Sequence, residues 1–461
     1  MVVFVIPTKE GSQTTTTNSQ GVLRSLLRRD DKFASKRKRN MIEPVYKNKS
    51  TTASRKSLIR QLLQIPVIVA ALGYFVDIYD LLLFSIVRVQ SLKDLGVADA
   101  DMLPTGIYLI NMQMAGLLVG GIIWGILGDK RGRLSVLFGS ILIYSLANIA
   151  NGVVTSVDQY ALLRFIAGIG LAGELGAGIT LVAEILPKEI RGYGTSLVAS
   201  VGLLGAVLAY FIADMFAWRN AYFIGGGLGL LLLLMRVSVI ESGIFTSVKE
   251  RETVSRGNFM KLFSSWGQFS KYVRCILIGL PVWFVAGILM TFSPEFGKAL
   301  HLSEPIVAGK AVMWEYIGLS IGDLSSGVFS QYMNSRKKVL AMFLLLTATL
   351  VAVYLYVPFQ SAAVFYAICV GLGVGVGYWA LFVTIAAEQF GTNLRATVAT
   401  TVPNFVRGSI NIMTPLFLLF KGELGIINGA ALLGLLTISI AYLGLWKMEE
   451  TFGKDLDFLE D

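Results

Sequence analysis

Histidine and cysteine are almost missing from this 461-residue chain: His301 is its single histidine, and Cys275 and Cys369 are its two cysteines. Both thiols fall in apolar stretches, so neither a disulfide nor a metal site is expected, and no Cys/His cluster exists to hold zinc. No polar segment sets a nucleophile beside a base, which argues against an enzyme. Charge is scarce as well. Asp, Glu, Lys and Arg make up 15% of the residues, against about 25% in a soluble domain. The length alone would allow two or three water-soluble domains, and the apolar stretches exclude them.

Hydrophobic runs take up the space. Hydrophobic residues are 54% of the chain and mean hydropathy is +0.66. A helix needs about 20 apolar residues to cross a bilayer. Such segments lie near 65–89, 103–128, 134–156, 159–185, 193–215, 220–240, 272–297, 306–331, 339–358, 362–389, 395–420 and 425–446. The expected fold is an all-α polytopic membrane protein, since helices satisfy their own backbone within lipid.

Basic residues set the expected orientation. Fourteen of the 40 Lys and Arg precede Gln61, among them Lys36-Arg37-Lys38-Arg39. With that tail inside, the internal side collects 32, with Arg236 near a span end counted among them, the external loops 6, with Arg88 counted among them, and Arg164 and Arg407 are counted within spans. This is the positive-inside pattern, with both termini cytoplasmic in a plasma or inner membrane. It accounts for the net charge of +10 without a nucleic-acid partner. The tail has no signal-peptide core and reads as a disordered anchor near anionic lipid.

The chain also repeats. Glu184 and Arg191 are seven apart at the end of span four, and Glu388 and Arg395 are seven apart at the end of span ten, 204 residues on. Gly173 and Gly377 share that offset, and Lys130-Arg131-Gly132-Arg133 is echoed by Arg336-Lys337-Lys338. Two pseudo-symmetric six-helix halves follow, with a solute site between them near the midplane. The expected divisions are a basic tail 1–60, a first half 61–240, a linker 241–271, a second half 272–447 and a closing tail 448–461.

The run Gly125-Ile-Leu-Gly128-Asp129-Lys130-Arg131-Gly132-Arg133 resembles the loop signature of the major facilitator superfamily between spans two and three, apart from Leu134, where another basic residue is common. Arg164-Phe-Ile-Ala-Gly168-Ile-Gly170 resembles the family's span-four motif and Glu184…Pro187…Arg191-Gly192 also fits it, while Trp218-Arg219 and Glu241-Ser242 resemble the sugar-porter and metabolite:proton symporter branches. The resemblance covers about residues 60 to 450. It implies a transporter working by alternating access, expected as a monomer. Asp129 with Arg133 or Arg191, Glu184 with Arg191, and Glu388 with Arg395 would then be gating contacts. In the second-half loop Gln331 replaces the acid and Asn334 the glycine, so its latch is expected to be weaker.

Ionisable residues inside a membrane cost at least about 2.5 kcal/mol each and mark function or pairing. Asp77 and Asp80 lie three apart in span one and share a helix face. Two carboxylates so close should not both ionise easily, as a proton-carrying site requires. Related transporters couple protons through a span-one acid and a span-four arginine, which implies Asp80 with Arg164; the alternative is a static ion pair. Glu174, ten residues past Arg164, relays the proton or pairs with a basic neighbour.

Thr400, Asn404, Arg407, Asn411 and Thr414 form a polar stripe at three- and four-residue spacing in span eleven. Arg407 offers a planar fork for a carboxylate or phosphate; the alternative is pairing with Asp323. Pro403 and Pro415 suggest bends. Tyr316 and Asp323 in span eight, Tyr79, and the aromatics Trp283, Tyr378 and Trp379 complete the candidate substrate wall. The proline of an antiporter span five is missing from Gly202-Leu-Leu-Gly205, which favours symport or uniport. The leading expectation is proton-coupled import of a small organic anion, driven by the proton gradient without a cofactor. An exporter, a uniporter, a phosphate or sugar transporter, and a non-transporting nutrient sensor stay open.

Overall fold

The computed structural model describes residues 62–454 except 132, 175, 177, 179–181, 183–184, 187–189, 242–258 and 392–393, and leaves out side chains at 128–131, 133–135, 191–193, 237–241, 261 and 396. The tail 1–60 and most of the linker lie outside the described residues.

Every regular element among the described residues is a helix. In the first half these are α1 (Ile65–Asp94), α2 (Met102–Arg131), α3 (Arg133–Asn151), α4 (Val157–Leu171), α5 (Arg191–Leu203), α6 (Gly205–Met215) and α7 (Trp218–Glu241). In the second half they are α8 (Trp266–Phe284), α9 (Ser293–Ala299), α10 (Ala308–Tyr332), α11 (Arg336–Tyr356), α12 (Ala362–Val376), α13 (Trp379–Glu388), α14 (Arg395–Gly408) and α15 (Ile410–Trp446). The ends have local causes. Pro66 opens α1, where its missing N–H costs nothing. Ser156, Ser265 and Ser335 cap α4, α8 and α11 by accepting from the amides of Gln159, Gln268 and Lys338.

These helices make twelve crossings. Eight helical stretches among the described residues are long and apolar enough to span a membrane. The last of them, Thr397–Trp446, crosses twice: Gly425 leaves the helix at φ 77°, and Gly429 folds back onto Phe420 and Lys421. The shorter α3, the α4 segment and α10 with its three charged residues complete the set.

Among the described residues several crossings are broken near their middles, which the sequence reading did not foresee. Span five divides at Leu204. Span ten divides at Gly377-Tyr378. Span eleven divides at Ser409, while Pro403 and Pro415 both sit inside helices, so the break falls between the two prolines. A π-helical stretch, Val285–Met290, extends α8. Broken backbone in a membrane is tolerated where protein or a polar cavity surrounds it.

The repeat is visible in packing. Gly116 and Gly120 let α2 approach Phe165 and Ile169 of α4 at backbone distance. Gly318 and Gly322, each 202 residues later, do the same for α10 against Val370 and Val374 of α12. A methyl on Gly116 or Gly318 would lie 2.1 Å from a carbonyl oxygen. The halves meet along α14 with α2 and along α10 with α1, α5 and α6.

Candidate functional site

α1 is the centre of the site because it touches both halves. Three residues turn a helix through about 300°, so Asp77 and Asp80 diverge by roughly 60°. That difference sends them to different surroundings.

Asp77 faces the second half. Its Oδ2 lies 3.8 Å from Arg407 Nη2, with both side chains essentially fully buried. This is longer than a hydrogen bond, and Arg407 Nε and Nη1 have no hydrogen-bond partner. The Arg407 guanidinium stands 5.7 Å from the Trp379 ring centroid. Tyr74 and Tyr316 lie within electrostatic reach of both Asp77 and Arg407. Arg407 is therefore not paired with Asp323. The Asp323 Oδ1 accepts from the Ala380 amide at 2.8 Å, so this carboxylate caps α13 where span ten is broken.

Asp80 faces the interior of the first half, and the expected Asp80–Arg164 pair does not form. Arg164 donates to Gln113 Oε1 and, at 3.2 Å, to the Tyr222 hydroxyl, and its guanidinium lies 4.6 Å over the Phe84 ring. Phe84 is one turn beyond Asp80, which places the guanidinium about 6 Å further along the bundle. Neither Asp80 oxygen has a hydrogen-bond partner. The carboxyl packs on Gly225 of α7 beside Asn148 of α3.

Glu174 pairs with Arg236 of α7, both buried, and the pair rests on Gly73 of α1. The sequence reading counted Arg236 among internal loop residues. Arg88 was likewise counted as external, yet it is fully buried and bonds to Glu295 at 2.8 Å with Phe292 beneath it at 4.9 Å. Both arginines interrupt apolar runs, Ile86-Val87-Arg88-Val89 and Leu234-Met235-Arg236-Val237, and that was the available signal.

The stripe of span eleven turns out to be a seam. Asn404 donates to the Ala172 carbonyl at 2.8 Å, Thr414 to Asn111 at 2.9 Å, and Thr400 packs on Gly176. Asn411 donates to the Gly408 carbonyl at the helix break. Arg407 is the member of the stripe whose buried donors Nε and Nη1 have no partner. Tyr79 donates to the Ala221 carbonyl at 2.8 Å and so braces α7. Tyr378 donates to the Ile278 carbonyl at 3.1 Å. Trp283 packs against Gly287 of the π stretch. Tyr316 and Trp379 remain as walls of the Arg407 site, joined by Tyr74.

Of the gating candidates, the side chains of Asp129, Arg133, Glu184 and Arg191 lie outside the described residues. Glu388 bonds to Arg336 at 2.6 Å, while Arg395 reaches the Ala387 and Phe390 carbonyls at the end of α13. The acid missing at Gln331 is supplied from the C-terminal end: Glu450 accepts from Ser335 and from the amides of Arg336 and Lys337. The second-half loop is thus held by other partners than those expected.

Two six-helix halves enclosing a charged, buried site at their seam define a membrane transporter of small molecules. The chain belongs to the Major Facilitator Superfamily, whose model matches residues 69–415. It is 26% identical over 374 residues to the niacin transporter NiaP of Acinetobacter baylyi, covering 71% of this chain and 80% of that one. It is 23% identical over 367 residues to the benzoate transport protein of the same organism, covering 72% and 78%. Its fold matches the proton:xylose symporter XylE with a TM-score of 0.64 at 16% identity, covering 87% of this chain and 98% of that one. The protein is an integral, multi-pass membrane transporter and not an enzyme.

Proposed function

We propose that this chain imports a small organic carboxylate together with protons by alternating access. The observation that carries the reading is the Arg407–Asp77 contact between the halves, at 3.8 Å and with two guanidinium nitrogens unpartnered. A guanidinium holds a carboxylate through two parallel N–H donors. Each such pair includes Nη2, which here meets Asp77 only at 3.8 Å, beyond hydrogen-bond reach; with Nε and Nη1 also buried and free, the guanidinium is a strong attractor for an anion.

Charge balance then links the anion to a proton. Arg407 and Asp77 are neutral as a pair. A substrate carboxylate on Arg407 leaves an excess negative charge in a medium that penalises it heavily. Protonating Asp77 restores neutrality, and Asp80 is a second acid one turn away. Binding the anion and binding the proton therefore favour one another.

Trp379 sets its ring 5.7 Å from the guanidinium, and Tyr74 and Tyr316 lie near it, which suits a ring-bearing acid. Niacin and benzoate, named for two relatives, are acids of this kind. Under this reading both termini are cytoplasmic, the protein works as a monomer in a plasma or inner membrane, and the proton gradient supplies the energy without a cofactor.

The test uses protein in liposomes with an internal pH dye. Nicotinate and benzoate are added outside, with phosphate, a neutral sugar and an Asp77→Asn variant as controls. Internal acidification with one acid, lost in the variant, is the expected result. Solute exchange without proton movement would leave a uniporter, with Asp77 and Asp80 serving only structure.

A further inference from the structure

Buried polar atoms without a hydrogen-bond partner cluster on one helix face of this bundle. Tyr144, Asn148 and Asn151 recur at i, i+4 and i+7 on α3, with Ser145 beside them. All four side chains are fully buried. The Tyr144 and Ser145 hydroxyls and both amide atoms of Asn148 and Asn151 lack hydrogen-bond partners. Buried polar groups left unpaired cost roughly 1–3 kcal/mol each, so six such atoms on one face call for a reason.

The face connects the acids of the first half. Asn148 stands beside Asp80, short of a hydrogen bond. Tyr144 feels the charges of Glu174, Asp80, Asp77 and Arg236. Glu174 closes the inner end in its pair with Arg236, and Asn151 ends α3 at the other face. Room is made by glycines of α7. A methyl on Gly225 would sit 2.3 Å from Asp80 Oδ1, and one on Gly229 would sit 2.1 Å from Ser145 Oγ. Arg164 and Tyr222 flank the file from α4 and α7 without entering the Asp80 contact.

We propose that Asp80, the second acid, exchanges its proton along this face of α3, inside the first half, and not by way of Asp77 and the substrate site at Arg407. This rests on the proton-coupled reading above. Inward release runs as follows. Asp80 gives up its proton and becomes a carboxylate. Tyr144 accepts a proton and passes its own onward, directly or through water, ending as it began. The Glu174 carboxylate takes the proton, its ion pair with Arg236 opens, and the proton leaves to inner water. Glu174 and Arg236 then pair again. Asn148 and Asn151 orient the carriers on the outer side. A private route lets the anion on Arg407 and the proton on Asp80 be loaded from different sides of α1.

Tyr144→Phe is the decisive variant. Its hydroxyl has no partner, so a purely structural role predicts no loss. Wild type, Tyr144→Phe and Asp80→Asn are reconstituted and given nicotinate and benzoate. Two rates are read: internal acidification with net uptake, and exchange of labelled acid at equal concentrations, which needs no proton release. In Tyr144→Phe net uptake and acidification should fall by about tenfold or more, with exchange close to wild type. Unchanged uptake, or uptake and exchange falling together, overturns the route. Should Tyr144→Phe not accumulate, the double variant Glu174→Gln/Arg236→Gln replaces it with the same expected split. If wild type moves no protons with either acid, the coupling reading itself falls, and the route with it.

Discussion

Arg88 and Glu295 meet at 2.8 Å across the seam between the halves, and they are 207 residues apart in sequence, close to the offset of the internal repeat. Ser85 and Thr291, 206 apart, share a hydrogen bond one turn deeper, at 3.1 Å. Equivalent ends of α1 and span seven thus touch across the pseudo-twofold axis, on the face opposite the α2–α3 turn.

Glu295→Gln should destabilise that closure. It leaves the Arg88 guanidinium buried with its carbonyl and Phe292 contacts but no counter-charge. Removing one partner of a buried pair costs about 3–5 kcal/mol, and opening this face relieves the cost. A cysteine at Ser85 should then react faster with a water-soluble maleimide than it does in the Glu295 background. Equal rates would show that the pair does not hold the closed state.

Arg407 should discriminate between charge and geometry. Arg407→Lys keeps the charge near Asp77 but loses the fork, so affinity for a carboxylate substrate should fall by roughly ten- to a hundredfold, in line with hydrogen bonds to charged groups worth about 1.5–3 kcal/mol. Arg407→Gln should abolish measurable binding. Titration calorimetry on purified protein reads both. Full affinity in Arg407→Lys would place the anion elsewhere.

The crossings, the repeat and the family signature could be read from the sequence because they rest on long apolar runs and fixed spacings. Partners were harder. Asp80 and Arg164 are matched by the resemblance to related transporters, which names the two spans but not the direction each side chain takes; one helical turn is enough to give Arg164 to Gln113 and Tyr222. The stripe of span eleven was correctly periodic, yet periodicity cannot say which neighbour a face meets, and Asn404 and Thr414 met the first half. Arg88 and Arg236 were misread because they were assigned to loops by nearness to span ends. The breaks at Leu204, Gly377-Tyr378 and Ser409 follow tertiary packing and leave little trace in composition.

Glu450 gives a pH-dependent prediction outside the membrane. Burial pushes its carboxyl up, but hydrogen bonds from Ser335 and from the amides of Arg336, Phe452 and Lys337 outweigh this and hold it below the ordinary value of 4.5. A depressed carboxyl stabilises the fold fully above its ordinary value, and that contribution fades as pH falls through the lowered one. At neutral pH Glu450→Gln should melt at a lower temperature than wild type. The gap should narrow from about pH 4.5 downward and close once wild-type Glu450 is itself protonated. A gap independent of pH would mean that the carboxylate charge contributes nothing at this cap.

Asp323 separates a capping role from a substrate role. Its Oδ1 holds the Ala380 amide at 2.8 Å, at the start of a helix that begins in the middle of a crossing because span ten is broken there. Losing a capping side chain costs about 0.5–2 kcal/mol, and in lipid the freed amide has no water to turn to. Asp323→Ala should therefore lower thermal stability by that order. Asp323→Asn keeps an oxygen acceptor on the same geometry and should recover most of it. Because Arg407 pairs with Asp77 and not with Asp323, the Asn variant should also bind a carboxylate substrate as wild type does. Loss of binding with stability intact would return Asp323 to the substrate wall and make the cap incidental.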